Sequence, residues 1–209
     1  MVHITHTGHN VEMLETILVT AQKRFGQFGM AKTTMQEIAD DMGISKGSLY
    51  YYFPDKEHLY MAVIDREYEQ FLNLVSLNLK SLNNPEEMLR QYSTLRLKHI
   101  GSLLNLSRIS NDEMQGLKSL MAEKWKIYRE KEIEVISGIL KAGMSKRLFE
   151  KNEVSEIAIL YLDVLRGLRI SILKHKEFIY LEPEEYDDLV RKQELLTEIF
   201  IRGLKISKN

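Results

Sequence analysis

The chain has 209 residues, of which 44% are hydrophobic and 28% are charged, and its formal net charge is −1. This balance is typical of a water-soluble globular protein, and it gives no overall positive field that would attract nucleic acid. The absence of cysteine excludes disulfides, thiolate metal sites and thiol catalysis. No apolar run approaches the roughly 20 residues of a membrane span, so we expect no membrane partner.

The first ten residues, MVHITHTGHN, are predicted to form an N-terminal arm. They lack the basic start and the apolar core of a secretory signal peptide. Their three histidines are spaced by three, but at a chain end we interpret them as part of a frayed arm rather than as a metal site. We therefore expect no metal or other cofactor, and a cytoplasmic location.

Helical periodicity dominates the chain after this arm. Apolar residues at steps of three and four predict a first helix that ends near Gly29, a residue suited to a C-cap. Thr34 and Glu37 have the spacing of a capping box and start a short second helix, which Gly43 ends. Ser45 is the predicted N-cap of a third helix.

The rest of the chain is also predicted to be helical. Pro54 stops the third helix, a fourth runs from Asp55 to about Leu82, and a fifth begins at Asn84. The segment 105–116 is polar and is predicted to be irregular. Long amphipathic helices are predicted at about 117–144, 153–175 and 185–205. No strand pair with a hairpin signal is found, so the predicted fold class is all-α.

Two short helices joined by a tight glycine turn are typical of a helix-turn-helix, whose second helix enters the DNA major groove. In ISKGSLYYYF, Leu49 and Phe53 face inward, so Lys46, Gly47, Tyr50 and Tyr51 face outward or sideways. Tyrosine hydroxyls can bind phosphates, and Gly47 lets the helix approach DNA closely. These residues predict DNA binding by a small patch with few charges, and hence a modest dependence on salt.

Residues from about 12 to 64 closely resemble the DNA-binding domain of the TetR family of bacterial transcriptional regulators. The resemblance is carried by ILVTAQKRFGQFG at 17–29 and TTMQEIADDMGISKGSLYYYFPDKEHL at 33–59. It implies a three-helix head that contains the helix-turn-helix, followed by a helical ligand-binding and dimerisation domain. We accordingly divide the chain into an arm at 1–10, a DNA-binding head at 11–54 and a second domain at 55–209.

Ten residues occupy positions at which the family usually contacts DNA. They are Thr34, Gln36, Ser45, Lys46, Gly47, Ser48, Tyr50, Tyr51, Tyr52 and Lys56. The resemblance implies base readout mainly by Gln36, Lys46, Gly47 and Ser48. It implies phosphate contacts mainly by Thr34, Tyr50, Tyr52 and Lys56. Many members have histidine where this chain has Tyr52, so both packing and DNA contact stay open for that side chain.

Beyond residue 64 the resemblance is only architectural. It implies that the helices at about 153–175 and 185–205 pair with their mates in a homodimer, although they could also form the core of a single chain. It also implies a ligand pocket among the helices after the fourth. The candidate lining residues, each of which could instead belong to the core, are Tyr92, His99, Met121, Trp125, Tyr128 and Tyr161.

These features favour a dimeric repressor that a small, largely apolar ligand releases from a palindromic operator in double-stranded DNA. The alternatives are a helical protein-interaction module and a regulator that another protein controls without a small-molecule inducer. We expect no enzymatic activity, because the sequence has no paired nucleophile and base and no phosphate-binding glycine loop. The operator, the regulated genes, the inducer, the sign of regulation and the use of the pocket stay open.

Overall fold

The structure, a computed structural model, describes residues 4–106, 111–174, 176 and 181–206. These residues form eight α-helices and no β-strand, which confirms the all-α prediction. The helices are α1 Ile4–Phe28, α2 Met35–Met42, α3 Lys46–Tyr52, α4 Lys56–Lys80, α5 Pro85–Leu106, α6 Asn111–Ser145, α7 Val154–Leu173 and α8 Pro183–Leu204. Within the described ranges, no helix combines the length and the apolar character that crossing a membrane requires.

The described residues divide into two compact units. The first contains the described residues up to 69 and those of 102–121, and the second contains those of 70–101, 122–176 and 181–206. The division falls within α4, α5 and α6 rather than in the loop before α4. The functional boundary between residues 54 and 55 is a different kind of division and stays a prediction.

The first unit has an aromatic pair at its core, Phe25 of α1 and Tyr60 of α4. The two rings meet edge to face with their centroids 5.2 Å apart, and both side chains are buried. Ile38 of α2 and Leu49 of α3 are fully buried in the same unit. Each such side chain contributes about 1.5–3 kcal/mol of burial free energy, so the two short helices α2 and α3 are held in this unit by their apolar faces.

Polar contacts fasten the first half of α4 to α1 within this unit. Arg66 donates from Nε to Glu15 and from Nη1 to Gln22, both at 2.8 Å. The hydrogen bond from Arg66 lowers the pKa of Glu15, so this carboxylate stays charged. Lys56 donates from Nζ to the carbonyl oxygen of Met30, 2.9 Å away, in the loop after α1. The start of α4 is therefore tied both to the first helix and to the loop that follows it.

The second unit is closed at one end by the loop between α6 and α7. Phe149 in this loop is fully buried, and a Cβ at Gly143 would overlap its ring. Phe149 also forms an isolated antiparallel bridge with Lys205, and the Glu150 N–H donates to the Leu204 carbonyl at 2.8 Å. Glycine at position 143 is therefore required by packing, not by its backbone conformation.

The helix ends differ from the predicted ends where the sequence is polar. α1 begins at Ile4, so residues 4–10 of the predicted arm are helical, and residues 1–3 lie outside the described residues. α5 continues to Leu106 and α6 begins at Asn111, so the prediction of irregular structure over 105–116 is wrong, apart from 107–110, which lie outside the description. Polar residues on a solvated helix face leave the backbone hydrogen bonds intact, so a polar run does not by itself end a helix.

Candidate nucleic-acid interface

The second helix is fixed at both ends by the residues that the sequence indicated. The Thr34 hydroxyl accepts from the Glu37 N–H at 3.3 Å, and the Glu37 carboxylate accepts from the Thr34 N–H at 2.8 Å, which confirms the capping box. Hydrogen bonds from the Thr34 hydroxyl and N–H lower the pKa of Glu37. Gly43 ends α2 with a φ of 66°, a left-handed conformation that other residues adopt only with strain.

The third helix, which we call the recognition helix, has seven residues and a buried inner face. Ser45 is its N-cap, as predicted, and its hydroxyl accepts from the Ser48 N–H at 3.0 Å. Leu49 and Phe53 are buried on the inner side. Pro54, which cannot donate a backbone hydrogen bond, follows the C-cap residue Phe53. These constraints fix which side of the recognition helix faces solvent.

The three consecutive tyrosines have different surroundings. Tyr51 is 80% exposed and Tyr50 is 42% exposed, whereas Tyr52 is partly buried. The Tyr52 hydroxyl donates to Asn10 Oδ1 at 2.7 Å, and its ring meets that of Tyr51 edge to face at 5.3 Å. Tyr52 therefore packs on α1 and has its hydroxyl engaged within the chain, while Tyr50 and Tyr51 point outward.

Five of the other predicted DNA-contacting side chains also have partners inside the chain. The hydroxyls of Ser45 and Ser48 lie 2.8 Å apart and form one hydrogen bond. The Thr34 hydroxyl belongs to the capping box, and Gln36 donates from Nε2 to Asp40 at 2.7 Å. Lys56 donates to the Met30 carbonyl. Each of these side chains therefore has a structural role in the head, and DNA contact by any of them would require an exchanged or shared hydrogen bond.

The exposed face of the recognition helix carries Lys46, Gly47, Tyr50 and Tyr51, which together we call the recognition patch. The Lys46 ammonium lies 5.7 Å from the centroid of the Tyr50 ring, within cation–π range. A Cβ at Gly47 would meet only the Ser45 hydroxyl among the described residues, at 3.8 Å. Nothing in the described fold requires glycine there, whereas a surface that must come close to DNA gains from the missing side chain. DNA contact by these residues stays a prediction.

Comparison with known proteins identifies the family. The family model described as "Bacterial regulatory proteins, tetR family" matches residues 17–63. The crystal structure of a transcriptional regulator from Cytophaga hutchinsonii is 36% identical and superposes with a TM-score of 0.87, over 93% of this chain and 99% of that one. The chain belongs to the TetR family of bacterial transcriptional regulators.

Two further relatives of this TetR-family protein are more distant. RutR of Escherichia coli K12, named an HTH-type transcriptional regulator, is 33% identical over 136 residues, so the match spans 62% of each chain. A protein from Saccharomonospora viridis, solved in complex with choline, is 17% identical with a TM-score of 0.71, over 94% of this chain and 100% of that one, which shows the fold alone. The family consists of transcriptional regulators with a DNA-binding helix-turn-helix, so this chain is a regulator and not an enzyme.

The structure distributes the six candidate pocket residues of this TetR-family regulator over both units. Met121, which is buried, belongs to the first unit, and the other five belong to the second. Tyr92 and Tyr161 are fully buried with engaged hydroxyls. Tyr92 donates to Glu132 at 2.6 Å, and the Tyr161 hydroxyl lies 2.8 Å from that of Thr197. Both tyrosines are thus part of polar networks in the core of the second unit.

The remaining three candidates make aromatic contacts within the second unit. His99 stacks on Phe71 with a centroid distance of 4.7 Å, and Trp125 meets Tyr128 edge to face at 5.7 Å. Their role in lining a ligand pocket stays a prediction. An open, largely apolar groove of about 650 Å³ lies between α4, α5 and α6 of this unit, and none of the six candidates belongs to its described walls.

The sequence did not single out a buried ion pair between Arg96 and Glu132. Arg96 is 4% exposed and Glu132 is 8% exposed, and Arg96 donates from Nε to Glu132 Oε2 at 2.7 Å. The same oxygen accepts from Tyr92. One local signal could have indicated Arg96, because it falls on the apolar stripe of α5 between Tyr92 and Ile100. A charged residue at such a position needs a buried partner.

The partly buried position of His99 predicts a pH dependence of stability. Burial lowers the pKa of His99 to about 4 from an ordinary value of 6.5. The unfolded chain therefore binds the proton more readily, so the contribution of neutral His99 is complete above pH 6.5 and is lost as the pH falls towards 4. We expect this one group to lower the free energy of unfolding by at most about 3 kcal/mol between pH 7 and pH 4.

Urea unfolding of the wild type and of His99→Phe at pH 7, 5.5 and 4.5 measures this contribution. Acidic groups titrate in both proteins and cancel in the comparison, so the variant should lose less stability than the wild type over this range. Equal losses in the two proteins would contradict the prediction.

Proposed function

We propose that this TetR-family regulator is a homodimeric repressor that binds a palindromic operator in double-stranded DNA and is released by a small, largely apolar ligand. In this proposal the head at 11–54, behind the arm at 1–10, binds DNA. Residues 55–209 bind the ligand and the second copy of the chain. The protein acts in the cytoplasm, where a bacterial chromosome is found.

The observation that carries the DNA-binding part is the recognition patch. Its lysine, its open glycine and its two outward tyrosines lie on the face of a helix whose opposite face is locked into the head by Leu49 and Phe53. A rigid helix with an exposed polar face is suited to the major groove, because the groove fixes the distance at which side chains meet bases and phosphates. Hydroxyl groups and one ammonium can provide those contacts without a strongly basic surface.

The dimeric part is supported by two apolar stripes on the surface of the second unit, which we call the dimer stripes. Their residues recur at steps of three and four, so each stripe lies on one side of its helix. They are Leu160, Val164, Gly167 and Ile170 on α7, and Leu195, Ile199 and Gly203 on α8. A Cβ at Gly167 or Gly203 would meet nothing else in the described chain within 4 Å. We assign the stripes to a second copy of the chain, because two heads are needed to read paired half-sites.

The ligand-release part is supported by the polar groups inside the second unit. A core that served packing alone would rarely bury Arg96, Glu132 and Gln193 together, since each polar group must find a partner. The Saccharomonospora viridis protein with the same fold was solved with choline, a small molecule. A ligand that binds better to one spacing of the two heads shifts the population towards that spacing, and the heads then no longer fit both half-sites.

Fluorescence anisotropy tests the proposal directly. The purified protein is titrated onto the DNA immediately upstream of its own gene and onto random duplex, at physiological salt. Preferential binding of the upstream DNA by two protomers, or a multiple of two, supports the operator proposal. Equal weak binding to both duplexes, together with a genome-wide fragment selection that recovers no preferred sequence, contradicts it. Specific binding that no small molecule relieves would favour control by another protein.

Replacing Tyr50 with alanine is expected to weaken operator binding about tenfold, equivalent to about 1.4 kcal/mol. The change removes a hydroxyl that can bind phosphate and the ring beside Lys46. Anisotropy on the operator fragment measures the loss. Tyr50→Phe retains the ring and so isolates the contribution of the hydroxyl. Since Tyr50 is exposed, both variants should melt close to the wild type, and unchanged affinity in Tyr50→Ala would remove this residue from the interface.

A further inference from the structure

Two arginines in the second unit have buried N–H groups without hydrogen-bond partners. Arg96 uses Nε to bind Glu132, but its Nη1 is shielded from solvent and meets no acceptor among the described residues. Arg169 on α7 is partly exposed as a whole, yet its Nε is also shielded and is unpartnered within the described chain. These two donors belong to different helices of the same unit.

The charges of this region do not balance. Burial, followed by repulsion from Arg96 and Arg166, lowers the pKa of Arg169 to about 10, while Glu132 acts in the opposite direction. At that pKa the guanidinium is still protonated at pH 7. Burial lowers the pKa of His99 to about 4, so its side chain is neutral at pH 7. Electrostatic interactions with Glu132, Arg96 and Arg169 have smaller effects on this pKa. The two arginines therefore exceed the charge of Glu132 by one, and Arg166 adds to the positive potential.

An unpaired buried guanidinium N–H destabilises a protein. Native interiors pair nearly all of their buried polar groups, and a charge withdrawn from water without a partner is strongly unfavourable. Arg96 has a structural reason to be buried, because it neutralises Glu132. No such partner explains the Nε of Arg169 among the described residues. An anion that accepts from both arginines would satisfy both donors and the surplus charge.

We propose that the second unit binds a small organic carboxylate whose anionic group accepts hydrogen bonds from Arg96 Nη1 and Arg169 Nε. This inference rests on the proposed function, and it gives the otherwise apolar ligand one negative charge. Guanidinium donors form strong charge-assisted hydrogen bonds with carboxylates. The surplus of one positive charge matches a monoanion better than it matches a phosphate dianion.

Thermal unfolding with simple probes tests the carboxylate site. Hexanoate, benzoate and phenylacetate are each compared with the corresponding primary amide and with inorganic phosphate, up to 10 mM. We expect at least one carboxylate to raise the melting temperature of the wild type by several degrees, and its amide to have little effect. Arg169→Met should abolish this rise. Equal shifts with acids and amides, a larger shift with phosphate, or no carboxylate-dependent shift at all would overturn the proposal.

The ligand-free melting temperature separates a binding role of Arg169 from a structural one. If the role of Arg169 is to bind an anion, Arg169→Met removes a shielded N–H group that has no partner among the described residues, and it should melt at the same temperature as the wild type or higher. A clearly lower melting temperature would indicate a structural arginine and would count against the site. Arg169→Lys should retain part of the carboxylate response. Arg129→Met is the matched control, because Arg129 pairs with Asp163 at the surface and should keep the full response.

Operator binding distinguishes failure of this inference from failure of the proposed function. Arg169→Met should bind the operator like the wild type without ligand and should not be released by the carboxylate. If a carboxylate binds the wild type but leaves its operator affinity unchanged, the proposed ligand release is contradicted, while the proposed carboxylate site is still supported. If a neutral amide releases the protein from the operator and the corresponding acid has no effect, the proposed function is still supported and the proposed carboxylate site is overturned.

Discussion

Replacing Arg96 with methionine is expected to lower the free energy of unfolding by about 3–5 kcal/mol. Among the described residues, the change leaves the buried Glu132 carboxylate with only the Tyr92 hydroxyl as a hydrogen-bond partner. Removing one member of a buried ion pair is more destabilising than removing a surface charge, because the remaining charge stays out of water. Urea unfolding at pH 7 measures the loss directly.

A surface pair in the same unit provides the control. Arg90 makes two hydrogen bonds to Glu198, at 2.5 and 3.0 Å, but its side chain is 41% exposed. Arg90→Met should therefore lower the free energy of unfolding by less than about 1 kcal/mol. Adding Glu132→Leu to Arg96→Met should recover much of the lost stability, since no buried charge remains. A double variant as unstable as Arg96→Met would show that packing, and not the unpaired carboxylate, accounts for the loss.

Replacing Arg96 is expected to destabilise the ligand-free protein, whereas replacing Arg169 is not, although both residues are arginines of the second unit. Arg96 has a buried acidic partner and stabilises the ligand-free protein. Arg169 has no described partner at Nε, so we expect it to contribute no such stabilisation. A common loss of stability in both variants would therefore contradict the distinction between a structural and a ligand-binding arginine.

Replacing Leu160 with glutamate is expected to convert the dimer into a monomer at micromolar concentration and to weaken operator binding at least about 100-fold. Leu160 is 59% exposed in the single chain and lies in the middle of the dimer stripe of α7. In a twofold dimer the substitution places two carboxylates in one apolar interface, and their desolvation is unfavourable by several kcal/mol for each ion. Size-exclusion chromatography with light scattering measures the mass, and anisotropy measures the affinity.

The control for this variant is Leu77→Glu. Leu77 is 66% exposed on α4, so a charge there should leave the mass and the operator affinity close to those of the wild type. Ile199→Glu, on the stripe of α8, should behave like Leu160→Glu. Stripe variants that stay dimeric and bind the operator normally would move the dimer interface to another surface.

The parts of the fold that depend on local sequence could be predicted from the residues alone. The capping box of Thr34 and Glu37, the N-cap at Ser45 and the left-handed Gly43 each involve residues within a few positions of one another. Their hydrogen bonds form inside one turn of chain, so spacing and residue type are sufficient to indicate them. The order of the helices followed from the same kind of pattern, as did the inward position of Leu49.

The parts that depend on distant contacts could not be predicted in this way. Arg96 and Glu132 are 36 residues apart on different helices, and Tyr52 meets Asn10 across 42 residues. No local periodicity relates such residues, so a buried arginine is read as a solvated one and a packed tyrosine as a possible DNA contact. The pocket candidates have the same weakness, because aromatic residues at helical spacing occur in cores and in binding sites alike.

The attachment of α4 to α1 has a consequence for protein engineering. A DNA-binding head moved to another regulator should be cut after Glu69 and not at the loop before α4, because the shorter fragment loses Arg66, Lys56 and Tyr60. The longer graft still lacks residues 102–121 of the same unit, and with them Ser102, whose hydroxyl donates to Glu67. A chimera joined after residue 69, with Glu67 replaced by glutamine, is therefore the transplant that the contacts of the head favour.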